Sequence, residues 1–263
     1  MTKTKLTNAI TTCVKKGEKA FVPYIMAGDG GLDKLKKDIL FLQKVGVTAI
    51  ELGIPFSDPV ADGPVIQAAG ERALSEGVTL KKVLETVRDF KEEITVPIVL
   101  MTYLNPIIAY GLDTFVDDCI AAEVSGVIIP DVPMEESSFV KPAFEKGELA
   151  LVPLVSLTSP VERIKKIVAD GEGFIYAVTV NGITGVRNSF GSTLDDHLQQ
   201  LKALSAVPVL AGFGISTPEQ VQTIGASVDG VIVGSAIVQA LYEGDYESVE
   251  KLVNATKEVV LGE

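Results

Sequence analysis

Two carboxylates eleven positions apart, Glu51 and Asp62, are the groups in this chain best placed by type and spacing to do chemistry. Glu51 lies inside an apolar run of strand character (Val47, Ala49, Ile50, Leu52, Ile54). Asp62 follows in a loop punctuated by Pro and Gly that also carries Asp58. A carboxylate at the end of a buried strand, faced by a second one in a stiff loop, builds an acid/base pair without histidine. A plainer reading stands beside it. Glutamate is rarely fully buried unless paired, so Glu51 also suits a salt bridge at the strand end, and Asp62 also suits the cap of a helix starting near Val65. The single histidine, His197, follows Asp195 and Asp196 at an expected helix start and reads as a solvated or locally paired group. Acid/base work therefore falls to carboxylates or tyrosines.

Such groups need a rigid scaffold, and the apolar runs supply one. Four runs open on Val-Pro or a close variant, beginning at Phe21, Val96, Leu151 and Val207; four open on Gly, at Gly46, Gly126, Gly173 and Gly230. The two classes alternate along the chain. Segments of helical period lie between most of them: 32–45, 80–90, 113–122, 135–146, 160–169, 194–204 and 218–224. Continuous apolar runs separated by helices predict an all-parallel sheet buried on both faces. Odd and even strands with different signatures fit a closed (β/α)8 TIM barrel over residues 1–263, a single domain with an extra N-terminal helix and a short helix after strand 8. An open doubly wound sheet is the alternative.

In a barrel, catalytic groups gather at the C-terminal ends of the strands. Glu51, Tyr103, Asp131 and Tyr176 are each expected late in a strand run, although a tyrosine there also serves to close the barrel mouth with its hydroxyl in water. The last two strand ends, A-G-F-G-I-S-T-P-E from Ala211 and G-V-I-V-G-S-A-I-V from Gly230, place Gly and Ser at strand-to-helix turns without Lys or Arg. Free N–H groups at a helix start bind anions, and barrels commonly keep a phosphate there. Taken singly, each Gly is equally a tight turn. The Gly- and Asn-rich stretch from Thr179 to Thr193 suits a lid or a plain surface loop.

Composition bounds the partners. The formal charge of -12 argues against nucleic acid and anionic membranes, so any phosphate must be held by local dipoles. No apolar run approaches the roughly 18 residues that span a bilayer, and the first residues lack the apolar core of a signal peptide; a cytoplasmic protein is expected. Cys13 and Cys119 have neither metal-ligand spacing nor a nearby histidine and read as reduced thiols.

The segments F-V-P-Y-I-M-A-G-D, E-L-G-I-P-F-S-D-P-V-A-D-G-P-V-I-Q, P-D-V-P-M-E-E-S, N-G-I-T-G, G-F-G-I-S-T-P-E-Q-V and G-S-A-I-V together make the chain resemble the α subunits of tryptophan synthase over nearly its whole length. The resemblance implies retro-aldol cleavage of indole-3-glycerol phosphate to indole and glyceraldehyde 3-phosphate. It implies no metal and no cofactor on this chain, pyridoxal phosphate on a β subunit that receives the indole, and an αββα heterotetramer. Residue by residue, it places the catalytic pair on Glu51 and Asp62, the lid threonine on Thr184, and the phosphate positions on Gly185, Gly214, Gly234 and Ser235. The indole pocket falls on Tyr24, Tyr103, Tyr176 and Phe213, and the β-subunit contacts on Asp58, Pro59, Asn105 and Asp131. Tyr24 stands where relatives also carry phenylalanine. No lysine stands at a recognisable mouth position in these motifs, which disfavours a Schiff-base aldolase. Two other readings remain: another phosphate-binding barrel enzyme of tryptophan or histidine synthesis, and a non-catalytic activating subunit.

Overall fold

Val, Ile and Leu crowd the short runs between the amphipathic segments, and each run pairs in parallel with its neighbours. In the computed structural model, which describes residues 2–178, 194–212 and 214–257, the strand segments are β1 (Ala20–Met26), β2 (Ile50–Gly53), β3 (Ile98–Met101), β4 (Val124–Ile128), β5 (Ala150–Leu151), β6 (Leu154–Ser156), β7 (Ile175–Val178), β8 (Val209–Gly212) and β9 (Gly230–Val233). They form one sheet in the order β5-β4-β3-β2-β1-β9-β8-β7-β6.

Nine segments rather than eight arise because the fifth predicted run is split. Pro153 has no N–H to give the ladder, yet its carbonyl accepts from Tyr176 N at 3.0 Å while Val152 N donates to Val127 O at 3.0 Å. Residues 150–156 thus pair with β4 on one side and β7 on the other, and the sheet closes. The register gives the stagger. Tyr24 leads through Glu51, Val99 and Gly126 to Ala150; Leu154, four residues on, leads through Tyr176, Leu210 and Gly230 to Ala20, four residues short of Tyr24. Two offsets of four make the shear of eight that closes an eight-stranded barrel.

The helices are α1 (Thr2–Lys15), α2 (Leu32–Val45), α3 (Pro64–Ser75), α4 (Leu80–Asp89), α5 (Leu104–Tyr110), α6 (Leu112–Ala121), α7 (Lys141–Lys146), α8 (Val161–Ala169), α9 (Leu194–Leu204), α10 (Pro218–Ser227), α11 (Ser235–Glu243) and α12 (Tyr246–Asn254). The expected helix over 135–146 is a 3-10 turn (Met134–Phe139) followed by α7, which carries Pro142 in its first turn; Pro142 has no N–H to continue a helix from the preceding turn, so the two segments stay separate. The helices α5 and α12 lie outside the segments expected to be helical.

The extra N-terminal helix α1 covers the barrel floor. Leu6 and Ile10 are fully buried, and Leu6 fits where a Cβ on Gly173 would stand 2.7 Å from its Cδ2 and one on Gly126 3.3 Å. Thr7 Oγ1 donates to Gly173 O at 3.0 Å, Lys3 N donates to Glu148 O at 3.1 Å, and the Lys3 ammonium pairs with Glu172. With the floor sealed, the opposite end is left for a site.

Candidate active site

Glu51 is the second residue of β2 and points into the barrel with 1% of its surface exposed. Neither carboxylate oxygen has a hydrogen-bond partner among the described residues, so the salt-bridge reading fails. Burial first, and the charge of Asp62 second, push its pKa up to about 8.

Asp62 sits at the end of a tight loop. Val60 N donates to Asp58 O at 2.9 Å and Asp62 N to Pro59 O at 3.1 Å. Gly63, not Asp62, occupies the N-cap of α3, with no side-chain cap, and Pro64 fills the first turn; the capping reading therefore fails too. Burial raises the Asp62 pKa to about 6, and a hydrogen bond from Tyr103 partly offsets that rise. The two carboxyls are thus staggered: near neutrality Glu51 keeps its proton and Asp62 is ionised.

Both line one cavity of about 340 Å³ together with Tyr24, Tyr176 and the apolar side chains of Ile66, Met101, Ile215 and Ile232. Tyr24 and Tyr176 are seated in the same way on opposite sides. A Cβ on Gly53 would lie 2.0 Å from the Tyr24 hydroxyl oxygen, and one on Gly212 2.5 Å from that of Tyr176; only glycine on the neighbouring strand lets each ring lie flat. Tyr103 is placed differently from the expected pocket wall. It follows β3 as the N-cap of α5, does not line the cavity, and stands behind Asp62, its hydroxyl accepting from Ala61 N at 3.0 Å and donating to the Asp62 carboxylate. Its ring packs on Phe56 at 5.3 Å between centroids.

The far side of the cavity carries the expected anion features. Gly214, with φ +79, turns the chain after β8, and Gly234 and Ser235 begin α11; all three line the cavity, and among the described residues no Lys or Arg does. The first N–H groups of a helix lack intrahelical acceptors. A Cβ at Gly234 would meet Tyr24 Cβ at 3.7 Å and Ile66 Cδ1 at 4.0 Å, leaving room for a methyl but little for branching. Ser216 also lines the cavity. Its N–H and hydroxyl are held by Gln220 Oε1 at 2.8 and 3.1 Å.

Around the mouth, Asp58, Asn105 and Asp131 are exposed and Pro59 is half-buried. Asp131 lies beyond the end of β4, not late in it, and its carboxylate accepts from Leu104 N at 3.0 and 3.2 Å. Thr184, Gly185 and Phe213 lie outside the described residues. His197 is on α9 in the outer helix layer and does not line the cavity. Cys13 and Cys119 are free thiols. Sequence reading missed the apolar walls, because Met101 and Ile232 look like any strand-end core residue; it also missed the seating glycines, whose only signal is a Gly two places past the register partner of an inward tyrosine.

A family model described as tryptophan synthase alpha chain matches residues 10–261. Among curated proteins, the tryptophan synthase alpha chain of Bacillus cereus is 49% identical over 249 residues, covering 95% of this chain and 96% of the relative. Among solved structures, the tryptophan synthase alpha chain of Legionella pneumophila superposes with a TM-score of 0.84 at 33% identity, over 97% of this chain and 98% of the other. An open form of tryptophan synthase from M. tuberculosis gives 0.85 at 32% identity, over 97% and 98%.

Proposed function

The chain belongs to the tryptophan synthase alpha chain family, lyases that cleave indole-3-glycerol phosphate to indole and glyceraldehyde 3-phosphate, and from that premise we propose how its own residues divide the work. Glu51, protonated up to about pH 8, gives its proton to the indole ring carbon that bears the glycerol chain. The ring nitrogen takes on positive character, and ionised Asp62 stabilises it; fixed charge aimed at charge that develops in the transition state is usually the largest catalytic effect. The Glu51 carboxylate then takes the proton from the hydroxyl on the adjoining chain carbon, that carbon becomes the aldehyde, and the electron pair of the broken C–C bond returns to the ring. Glu51 ends neutral again.

Tyr24, Tyr176 and the apolar walls hold the ring, and Gly214, Gly234 and Ser235 hold the phosphate through backbone N–H groups. Tyr103 positions Asp62. The single observation that carries this reading is the pair of staggered carboxyls on one cavity, one of them buried with no hydrogen-bond partner among the described residues.

The partner is the β subunit of tryptophan synthase, and the exposed mouth residues Asp58, Pro59, Asn105 and Asp131 are the contacts we assign to it. Pyridoxal phosphate belongs to that β subunit, Thr184 to a lid and Gly185 to the phosphate site. The chain is a single barrel domain over residues 1–263 and works in the cytoplasm; among the described residues, no helix is long and apolar enough to cross a membrane. Indole release from indole-3-glycerol phosphate by the parent chain, Glu51→Gln and Asp62→Asn tests the reading: turnover in the parent and its loss in both variants is expected, and near-parental turnover in either removes that residue from its role.

A further inference from the structure

Three elements meet in the cavity wall beside the phosphate seat: β1 through Tyr24, α3 through Ile66, and α11 through Gly234. The same three meet a second time further out. Arg72 on α3 forms a fork onto Asp29, in the turn after β1, with Nε–Oδ1 and Nη2–Oδ2 both 2.7 Å. Its guanidinium also lies 3.9 Å from the ring centroid of Tyr242 on α11. The Asp29 side chain is 9% exposed, and the turn that presents it is set by Gly28, Gly30 and Gly31, all at positive φ. At a rise of 1.5 Å per residue, Arg72 and Tyr242 lie roughly 10–12 Å along their helices from the ends that face the cavity.

We propose that Arg72 is a positioning residue that fixes the spacing between the Asp62 loop and the phosphate seat. The proposal rests on the assignment of that seat to Gly234 and Ser235. Only arginine satisfies both contacts at once: its planar fork matches a carboxylate in two bonds while its face stacks on an aromatic ring. Between them these contacts hold α3 against both β1 and α11. The buried residues of α3 are Ile66 and the small Ala69, Gly70 and Ala73, and to that apolar packing Arg72 adds directed contacts that set where α3 stands along α11. A slide of about 1 Å moves Asp62 relative to bound phosphate, and misplacement of that size costs on the order of 100-fold in rate.

The test compares the parent chain with Arg72→Ala, Arg72→Lys and Tyr242→Leu. Glycerol phosphate affinity is measured by titration calorimetry, cleavage of indole-3-glycerol phosphate by kcat and KM, and folding by melting. Arg72→Ala is expected to stay folded, to bind glycerol phosphate about ten-fold more weakly and to lose kcat as well. Tyr242→Leu, which keeps the ion pair, should move the same way by less, and Arg72→Lys, which keeps charge but not the fork, should recover part of the loss. A lowered melting temperature with unchanged glycerol phosphate affinity and unchanged kcat would mark Arg72 as merely structural and overturn the proposal. If Arg72→Ala does not fold, Tyr242→Leu and Arg72→Lys decide by the same readouts. A parent chain that binds glycerol phosphate but fails to cleave substrate would sink the enzymatic reading alone, leaving Arg72 to be judged on affinity.

Discussion

Replacing Glu51 by Gln should slow cleavage and at the same time make the fold more tolerant of alkali. A glutamine is close in shape to a protonated glutamic acid, but it cannot ionise. In the parent, burial and Asp62 hold Glu51 protonated up to about pH 8 against an ordinary value of 4.5. Below 4.5 the folded and unfolded chains both carry the proton, and the full stability is present. Between 4.5 and about 8 the unfolded chain releases it while the folded chain keeps it, so stability falls with rising pH; above about 8 the loss is complete. At about 1.4 kcal/mol per unit, the decline amounts to roughly 5 kcal/mol. The variant lacks this decline. Near pH 5 it should be equal to the parent or up to about 2 kcal/mol less stable, because its amide replaces a carboxyl that has no hydrogen-bond partner among the described residues. Near pH 9 it should be the more stable by several kcal/mol. Urea unfolding of both proteins across pH 5 to 9 measures the difference, and indole release measures a loss on the order of 100- to 10,000-fold for a general acid/base group. Stability curves that run parallel over that range would show that Glu51 titrates as an ordinary surface carboxyl, and the staggered pair would be refuted.

The pH profile of kcat/KM should be a bell with limbs near 6 and 8, because Asp62 must be ionised and Glu51 protonated; a plateau extending to pH 10 would contradict it. Tyr103→Phe removes the hydrogen bond that holds the Asp62 pKa down, so its acid limb should move to higher pH while the alkaline limb stays. Gly234→Ala should bind glycerol phosphate nearly as the parent does, given 3.7 Å to the nearest atom, whereas Gly234→Val should raise KM at least ten-fold, since its branch crowds the anion; equal affinity in both would move the phosphate elsewhere. Gly53→Ala places a methyl 2.0 Å from the Tyr24 hydroxyl oxygen, and a melting experiment should find it destabilised by about 1–3 kcal/mol.

Glu51 and Asp62 were legible because a carboxylate in an apolar run is a local anomaly, and the eight runs were legible because parallel strands buried on both faces need unbroken apolar sequence. What escaped was relational. Tyr103 reads as a strand-end aromatic, and only the path of the 58–62 loop shows that its hydroxyl serves Asp62 rather than the cavity. The split at Pro153 depends on which neighbours β5 and β6 face, and the seating of Tyr24 on Gly53 and Tyr176 on Gly212 depends on register between strands. Arg72 carries no signature of its own, since its partners lie 43 and 170 positions away along the chain.

The sealed floor bears on how this chain leaves the ribosome. Leu6 and Ile10 are made before any strand, yet the groove that receives Leu6 is walled by Gly126 and Gly173, and the bond from Thr7 to Gly173 spans 166 positions. Until residue 173 has emerged, the groove for Leu6 lacks one of its two walls, even though β1 and β4, which α1 also contacts, are already made. At about 5–20 residues per second, that interval lasts on the order of ten to thirty seconds. Docking of α1 is therefore completed late, and during that wait the nascent chain carries an amphipathic helix only partly covered, open to chaperone binding or to the same helix on a neighbouring chain.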